Sequence, residues 1–192
     1  MRAGYDEREI TVYQAYGPRI AAAALAAGTF LPPFKVDRMT WVKPSFMWMM
    51  YRSDWATKPG QEWVLAVRIA RAGFDWALAN SCLSHYDRDV YDSSEQWREA
   101  CRSAPVRIQW DPDRSIRLEP LSRRAIQVGL RGEAVRRYLT EWIVGIADVT
   151  PLARQIHELV RAGEVDRAQA RLPAERPYPL PAEIAARIGA SQ

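Results

Sequence analysis

Hydrophobic and polar positions alternate over residues 10–16 (Ile-Thr-Val-Tyr-Gln-Ala-Tyr), a β-branched and aromatic run that predicts a strand. Gly17-Pro18 turns the chain, with Pro18 placed to open a helix over 19–27 and Gly28 to stop it. Leu31-Pro-Pro-Phe34 is an extended connector to a second strand, Arg38 to Lys43. Pro44-Ser45 breaks that strand, and Phe46 to Trp55 has the pattern of a short apolar helix. Thr57 to Gly60 reads as a loop. Glu62 to Ala70 alternates again, with Val64, Ala66 and Arg68 on one face and Leu65, Val67 and Ile69 on the other. Helices are expected over 72–83 and 94–102, the second capped by Ser93 or Ser94. Pro105–Trp110 and Ser115–Glu119, joined by Asp-Pro-Asp-Arg, predict a β-hairpin. Ala125–Leu130 is a further strand, and a helix runs from about Glu133 to Gly145. Thr150-Pro151 opens a helix to Ala162 that Gly163 stops; proline-rich Leu172–Pro181 then precedes a weak helix at 182–188. Six strands interspersed with short helices predict an α+β fold with a mostly antiparallel or mixed sheet in residues 1–146. Residues 147–192 are expected to pack on it as C-terminal helices and a tail.

Composition narrows the classes. At 192 residues the chain fits one domain, and 48% hydrophobic residues can build a core. No run of about 18 apolar residues occurs, which predicts no membrane span. Met1 to Ile10 is charged throughout and lacks the apolar segment of a secretory signal. Cys82 and Cys101 form no C-x-x-C motif, which fits a reducing cytoplasm. His85 and His157 lack metal-ligand spacing, so no metal is expected and a Ser-His-Asp triad is disfavoured. Glycine-rich dinucleotide and P-loop motifs are absent. The formal charge of +4 is uneven: residues 101–140 carry 9 basic against 4 acidic groups, while residues 1–100 balance at 12 each. That local excess points to a phosphate-bearing partner, unless the arginines are spent in internal salt bridges.

Three clusters hold the candidate chemistry. Gln14 and Tyr16 share a strand face, where a planar amide or base edge can be bound; the alternative is that Tyr13 and Tyr16 are core and Gln14 satisfies backbone groups. Arg38, Lys43 and Arg52 accompany Trp41, Trp48 and Tyr51 within 15 residues, joining phosphate-binding cations to rings that stack on nicotinamide or a nucleobase. Phe46, Met47, Met49 and Met50 in the same stretch read as core. Arg107, Gln109, Trp110, Asp111, Arg114, Arg117, Arg123, Arg124 and Gln127 form the third group. An Arg-rich hairpin with a tryptophan suits a nucleic-acid backbone, whereas pairing of Arg107 and Arg114 with Asp111, Asp113 and Glu119 would neutralise it.

The runs V-Y-Q-A-Y-G-P, P-P-F-K-V-D-R-M-T-W-V-K-P-S-F-M-W-M-M-Y-R-S, W-A-T-K-P-G-Q-E, R-I-Q-W-D-P-D-R and A-I-Q-V-G-L resemble a bacterial family known as domain of unknown function 4291, over roughly residues 5–160. Val12 to Tyr16, then Ile20-Ala21, Ala24-Leu25 and Gly28-Thr29-Phe30, are also similar to the opening of ADP-ribosyltransferases. That second resemblance implies a split, mixed or antiparallel sheet with NAD as cofactor. It implies catalytic roles for Gln14, Tyr51 and Gln127 and cofactor contacts from Tyr16, Arg38, Trp41, Lys43, Ser45 and Arg52. Gln14 stands where that superfamily has His, and Gln127 where it has Glu. The implied function is ADP-ribosyl transfer from NAD to a nucleobase or nucleic acid, with Arg107, Gln109, Trp110, Arg114, Arg123 and Arg124 meeting the acceptor. The alternatives are a non-catalytic nucleic-acid or nucleotide binding module, or another RNA-processing enzyme on a related fold.

Overall fold

The computed structural model describes residues 1–190. In chain order its elements are β1 (Arg2–Ala3), β2 (Glu9–Tyr16), α1 (Pro18–Ala27), β3 (Thr40–Val42), α2 (Phe46–Ser53), β4 (Trp63–Ala70), α3 (Arg71–Ala79) and β5 (Ser81–Leu83). They continue as α4 (Ser94–Ser103), β6 (Val106–Arg114), β7 (Pro120–Leu130), α5 (Glu133–Arg137), a π-helical turn (Tyr138–Trp142) and β8 (Ile143–Asp148). The chain ends with α6 (Thr150–Arg161), α7 (Val165–Gln169), β9 (Arg176–Pro177) and α8 (Ala182–Arg187). The fold is mixed α+β.

Alternation decides how β2 and β4 are used. They pair antiparallel from Glu9↔Ala70 to Tyr16↔Trp63, and β8 adds to the far side of β4. Ile10, Val12, Leu65, Val67 and Ile69 point into one core with residues of α1 and α3, each buried side chain contributing about 1.5–3 kcal/mol. Tyr13 and Val64 point the other way, into a second core with Phe46, Met49 and Met50 of α2 and Ala153 and Ile156 of α6. One three-stranded sheet thus separates two cores.

The second sheet has strand order β3-β7-β6-β5, antiparallel except for β5 against β6. A single backbone bridge joins the sheets: Tyr13 N donates to Lys43 O (2.7 Å) and Lys43 N donates to Tyr13 O (3.2 Å). On the Pro44 side the pairing ends where Ser45 turns to cap α2, accepting from Trp48 N at 3.2 Å, and on the other side no backbone bond joins Gln14–Tyr16 to Thr40–Val42. The sheets part at that point.

Several boundaries differ from expectation. The helix predicted over 72–83 ends at Ala79, and Ser81–Leu83 is strand β5, too short to show a period of its own. The helix expected to reach Gly145 breaks at Trp142 after the π-helical turn, and β8 follows, so the expected boundary at 146 falls inside a strand of the first sheet. Trp142 is held against α3, where a Cβ on Gly73 would lie 2.4 Å from the indole, so only glycine fits. The Asp-Pro-Asp-Arg segment is not the hairpin turn. It belongs to β6, whose register shifts between Pro112 and Arg114, and the turn is Ser115–Glu119. Buried Asp113 holds this bulge, accepting from Ser45 Oγ (2.8 Å), Arg114 N (2.9 Å) and Arg123 Nε (2.8 Å). The two cysteines lie with their sulfurs 3.3 Å apart, both as free thiols. Among the described residues no helix is long and apolar enough to cross a membrane.

The C-terminal segment is tied to the N-terminus of α2. Glu175 Oε1 accepts from Phe46 N at 2.7 Å, and Arg2 donates to the Glu175 carbonyl. Burial, with the nearby Asp113 charge, pushes the Glu175 carboxyl up to about 7, against the lowering effects of the Phe46 N–H, Arg2 and Arg123. The folded chain therefore holds this proton more tightly than the unfolded chain. Glu175's contribution to stability falls as pH rises from about 4.5 to about 7. Glu175→Gln keeps an acceptor for Phe46 N, so its melting temperature should match wild type near pH 4.5 and exceed it at pH 8. An equal offset at both pH values would contradict this.

Candidate functional site

Where the two sheets part, a cleft of about 390 Å³ opens, within the range of small-molecule sites. Its floor is the end of β2 (Gln14, Ala15, Tyr16) and β3 with its approach (Met39, Thr40, Trp41). Pro33, Phe34, Lys35 and Arg38 of the α1–β3 connector form one wall, and Met49 and Arg52 of α2 with Gln61 form the other. Lys43 lines the base.

Gln14 is only 2% exposed, and its amide is saturated. Nε2 donates to Tyr16 Oη (2.8 Å), Thr40 Oγ1 (2.8 Å) and, at 3.3 Å, the Trp41 carbonyl. Oε1 accepts from Tyr138 Oη at 2.7 Å. One side chain thus fastens β2 to β3 and to the π-helical turn just beyond the single backbone bridge. Burial raises the Tyr16 and Tyr138 hydroxyls above the ordinary tyrosine range, so both stay protonated as donors. The amide is used internally, but three of its four partners are side-chain hydroxyls and only one, the Trp41 carbonyl, is the kind of backbone group expected from sequence.

Electrostatically the cleft is one-sided. Lys35, Arg38, Lys43 and Arg52 line it and no Asp or Glu does. Among the described residues, the side chains of Lys35, Arg38 and Arg52 make neither an ion pair nor a hydrogen bond. Lys43 is 8% exposed and donates to the Trp41 carbonyl at 3.0 Å. Rings supply the rest: Tyr16 packs edge-on against Phe30 and Phe34, and Trp41 and Met39 lie on β7 over Gly129. A Cβ at Gly129 would stand 2.8 Å from Met39 Sδ and 3.0 Å from the Trp41 ring, so glycine there lets the indole form the floor. Cations without counter-ions beside flat apolar faces suit a ligand with a planar ring and a phosphate.

The structure brings together Gln14, Tyr16, Arg38, Trp41, Lys43 and Arg52, and leaves the other site candidates elsewhere. Tyr51 faces away, its ring 3.6 Å from the Arg114 guanidinium. Ser45 caps α2 and donates to Asp113, beside a smaller cavity that includes Glu175. Gln127 is buried on β7 and donates to Asp111 Oδ2 at 2.7 Å, with Gln109 donating to Oδ1 of the same carboxylate at 3.1 Å. Apart from exposed Arg117, the hairpin arginines have internal partners, mostly not the acids suggested by spacing. Arg107 donates to the carbonyls of Ala104 (2.9 Å) and Cys101, and Arg114 donates to Leu118 O at 3.3 Å. Arg123 pairs with Asp113. Arg124 lies over Trp110 and donates to Gly189 O at 2.7 Å, and Trp110 Nε1 donates to Ile188 O at 2.6 Å. Tyr138, Thr40, Lys35, Phe34 and Met39 were not singled out from sequence; for Tyr138, 124 residues from its partner, no local signal exists.

An α+β protein split by a cationic, ring-lined cleft is the class these observations define. The chain belongs to the family described as Domain of unknown function (DUF4291), whose model matches residues 1–178. No curated protein and no solved structure matches the chain.

Gln14→Ala would leave the buried Tyr138 hydroxyl without its partner, while Thr40 Oγ1 keeps Tyr16 Oη at 3.1 Å. At about 1–3 kcal/mol for a buried unsatisfied group, a loss of about 2 kcal/mol is expected in urea unfolding. A loss below about 1 kcal/mol would mean that the amide is not the tie between the sheets.

Proposed function

We propose that the cleft is a nucleotide site that takes NAD, and that the protein is an ADP-ribosyltransferase-like enzyme whose acceptor is a nucleobase or nucleic acid. The observation carrying this reading is the set of cations at the cleft that lack any counter-ion while Arg107, Arg114, Arg123 and Arg124 of the hairpin are engaged internally. In this reading Arg38, Arg52 and Lys35 hold the diphosphate, and Trp41 with Phe34 offers faces to the rings. The order of elements supports it. The three strands that the resemblance singles out lie side by side, β2 bridged to β3 at Tyr13–Lys43 and β3 paired with β7 from Thr40↔Leu130 to Val42↔Val128.

The chemistry would be cleavage of the bond between nicotinamide and ribose, with a cationic ribose in the transition state. Nicotinamide leaves as a neutral molecule and needs no acid. The cleft's part is to hold the diphosphate and orient the ring, so that binding energy from remote contacts lowers the barrier. Gln14 sets the floor through Thr40 and Tyr16. Gln127 is engaged with Asp111, and Lys43 is the lining group able to take a proton near neutrality. The absence of a carboxylate from the lining favours a second reading, a nucleotide-binding module without turnover.

Calorimetric titration with NAD, ADP-ribose and adenosine separates these. NAD and ADP-ribose should bind and adenosine should bind much more weakly, because it brings no phosphate. Arg38→Ala or Arg52→Ala should each raise Kd about 10-fold or more, from the roughly 1.5–3 kcal/mol of a charge-assisted hydrogen bond. Arg98→Ala on exposed α4, whose guanidinium pairs only with Glu95, should change nothing. Nicotinamide release in the presence of mixed nucleic acids identifies the transferase; binding without release identifies the module. No binding of NAD or ADP-ribose at millimolar concentration would overturn both.

A further inference from the structure

Lys43 is an unusual lysine. It sits at the end of β3, with its backbone fixed to Tyr13 on one side and followed by Pro44 on the other. Its side chain is buried at the base of the cleft, where an ammonium group ordinarily requires a carboxylate. Among the described residues none lies within ion-pair distance. The nearest acidic influence is Asp111 on β6, and both oxygens of that carboxylate already accept from Gln109 and Gln127. The other charge acting on Lys43 is positive, Arg52 on α2, and the Trp48 ring centroid lies 5.9 Å from Nζ. The one hydrogen bond that Nζ makes is to a neutral acceptor, the Trp41 carbonyl. A neutral amine avoids burying an unpaired charge: one N–H goes to Trp41 O and a lone pair is left on nitrogen. Burial first, then the Arg52 charge, pushes its pKa down to about 7, with Asp111 opposing.

We propose that the Lys43 amine captures carbonyl compounds in this cleft, forming an imine with an aldehyde that carries a phosphate. The Nζ lone pair attacks the carbonyl carbon and the C=O π pair moves to oxygen, giving a carbinolamine. Nitrogen then passes its two protons to that oxygen, which leaves as water as the C=N bond forms. Hydrolysis reverses the step, and no oxidant or reductant enters. The phosphate requirement follows from Arg38, Arg52 and Lys35 at the same cleft, and an aromatic ring on the aldehyde would face Trp41. This goes beyond the NAD reading and shares with it only the cleft.

The chain supplies its own controls, because Lys35, Lys43 and Lys58 are its only lysines and Lys35 and Lys58 are exposed. Wild-type protein is treated at pH 7 with pyridoxal 5′-phosphate, the imine is fixed with borohydride, and the labelled lysine is located by peptide mass spectrometry. Lys43 should carry at least ~10-fold more label than Lys35 or Lys58, since an ordinary lysine with pKa about 10.4 is almost wholly protonated there. Pyridine-4-carboxaldehyde, which has the ring but no phosphate, should label Lys43 at least ~10-fold more slowly if one charge-assisted contact is lost. Label spread equally over the three lysines would overturn the proposal, and equal rates for the two aldehydes would overturn its phosphate requirement. NAD binding by the same preparation is scored separately. Binding with no Lys43 label refutes the reactive amine alone, and label without NAD binding refutes the nucleotide reading alone.

Discussion

The side-chain amide of Gln14 is the constraint on which the rest of the site depends. Two sheets meet at one backbone bridge, Tyr13 to Lys43, and beyond it the strands separate. A gap between diverging strands would normally strand polar backbone or fill with apolar side chains. Here Gln14 spans it, taking Tyr16 and Thr40 as neighbours in the cleft, the Trp41 carbonyl on β3 and the Tyr138 hydroxyl from beneath. Every partner of the amide is buried or partly buried, so each bond is made in a medium where leaving it unmade is costly. The split is a built feature, and the cleft is its consequence.

Charge is distributed by the same logic. The chain is rich in arginine, and the largest local excess lies in residues 101–140. Folding spends much of that excess on carbonyls at helix and strand ends, on Asp113 and on aromatic faces. The three exposed cations of the cleft, from a stretch of ordinary net charge, are left without partners and lie together on one concave surface. Local surplus in sequence and free charge in the fold are different quantities. Lys43 adds a further contrast, since burial and the Arg52 charge disfavour its charged form against the pull of Asp111.

Much of the first half of the chain was legible. Alternation in Ile10–Tyr16 and Trp63–Ala70 reflects sheet faces that each bury a core, and Pro18 and Gly28 bracket α1 as their backbone preferences dictate. The Arg38–Arg52 cluster was legible because its members are close in sequence and its helix follows the strand directly. What failed did so for physical reasons. Asp-Pro-Asp-Arg has the composition of a turn, but a bulge and the buried Asp113 carboxylate keep it in β6. Ile143–Asp148 follows a helical pattern and is only half-buried along most of its length, so nothing local marks it as a strand. Tyr51 and Trp41 were equivalent in sequence; Arg114, far along the chain, takes the former, and Gly129 makes room for the latter. Tyr138 reaches the site from a π-helical turn no periodicity announces.

The methionines distinguish the cavities directly. Met39 and Met49 line the cleft, Met1 lines the cavity beside Trp110 and Arg124, and Met47 lines the one beside Glu175. With methyl-labelled methionine, a nuclear magnetic resonance titration with ADP-ribose reads all of them in one experiment. If the sheet split forms the ligand site, the Met39 and Met49 methyl signals move together and saturate while those of Met1 and Met47 stay in place. Movement of Met1 alone, with Met39 and Met49 unchanged, would put the phosphate-bearing ligand on the arginine-rich hairpin and contradict the cleft as the site.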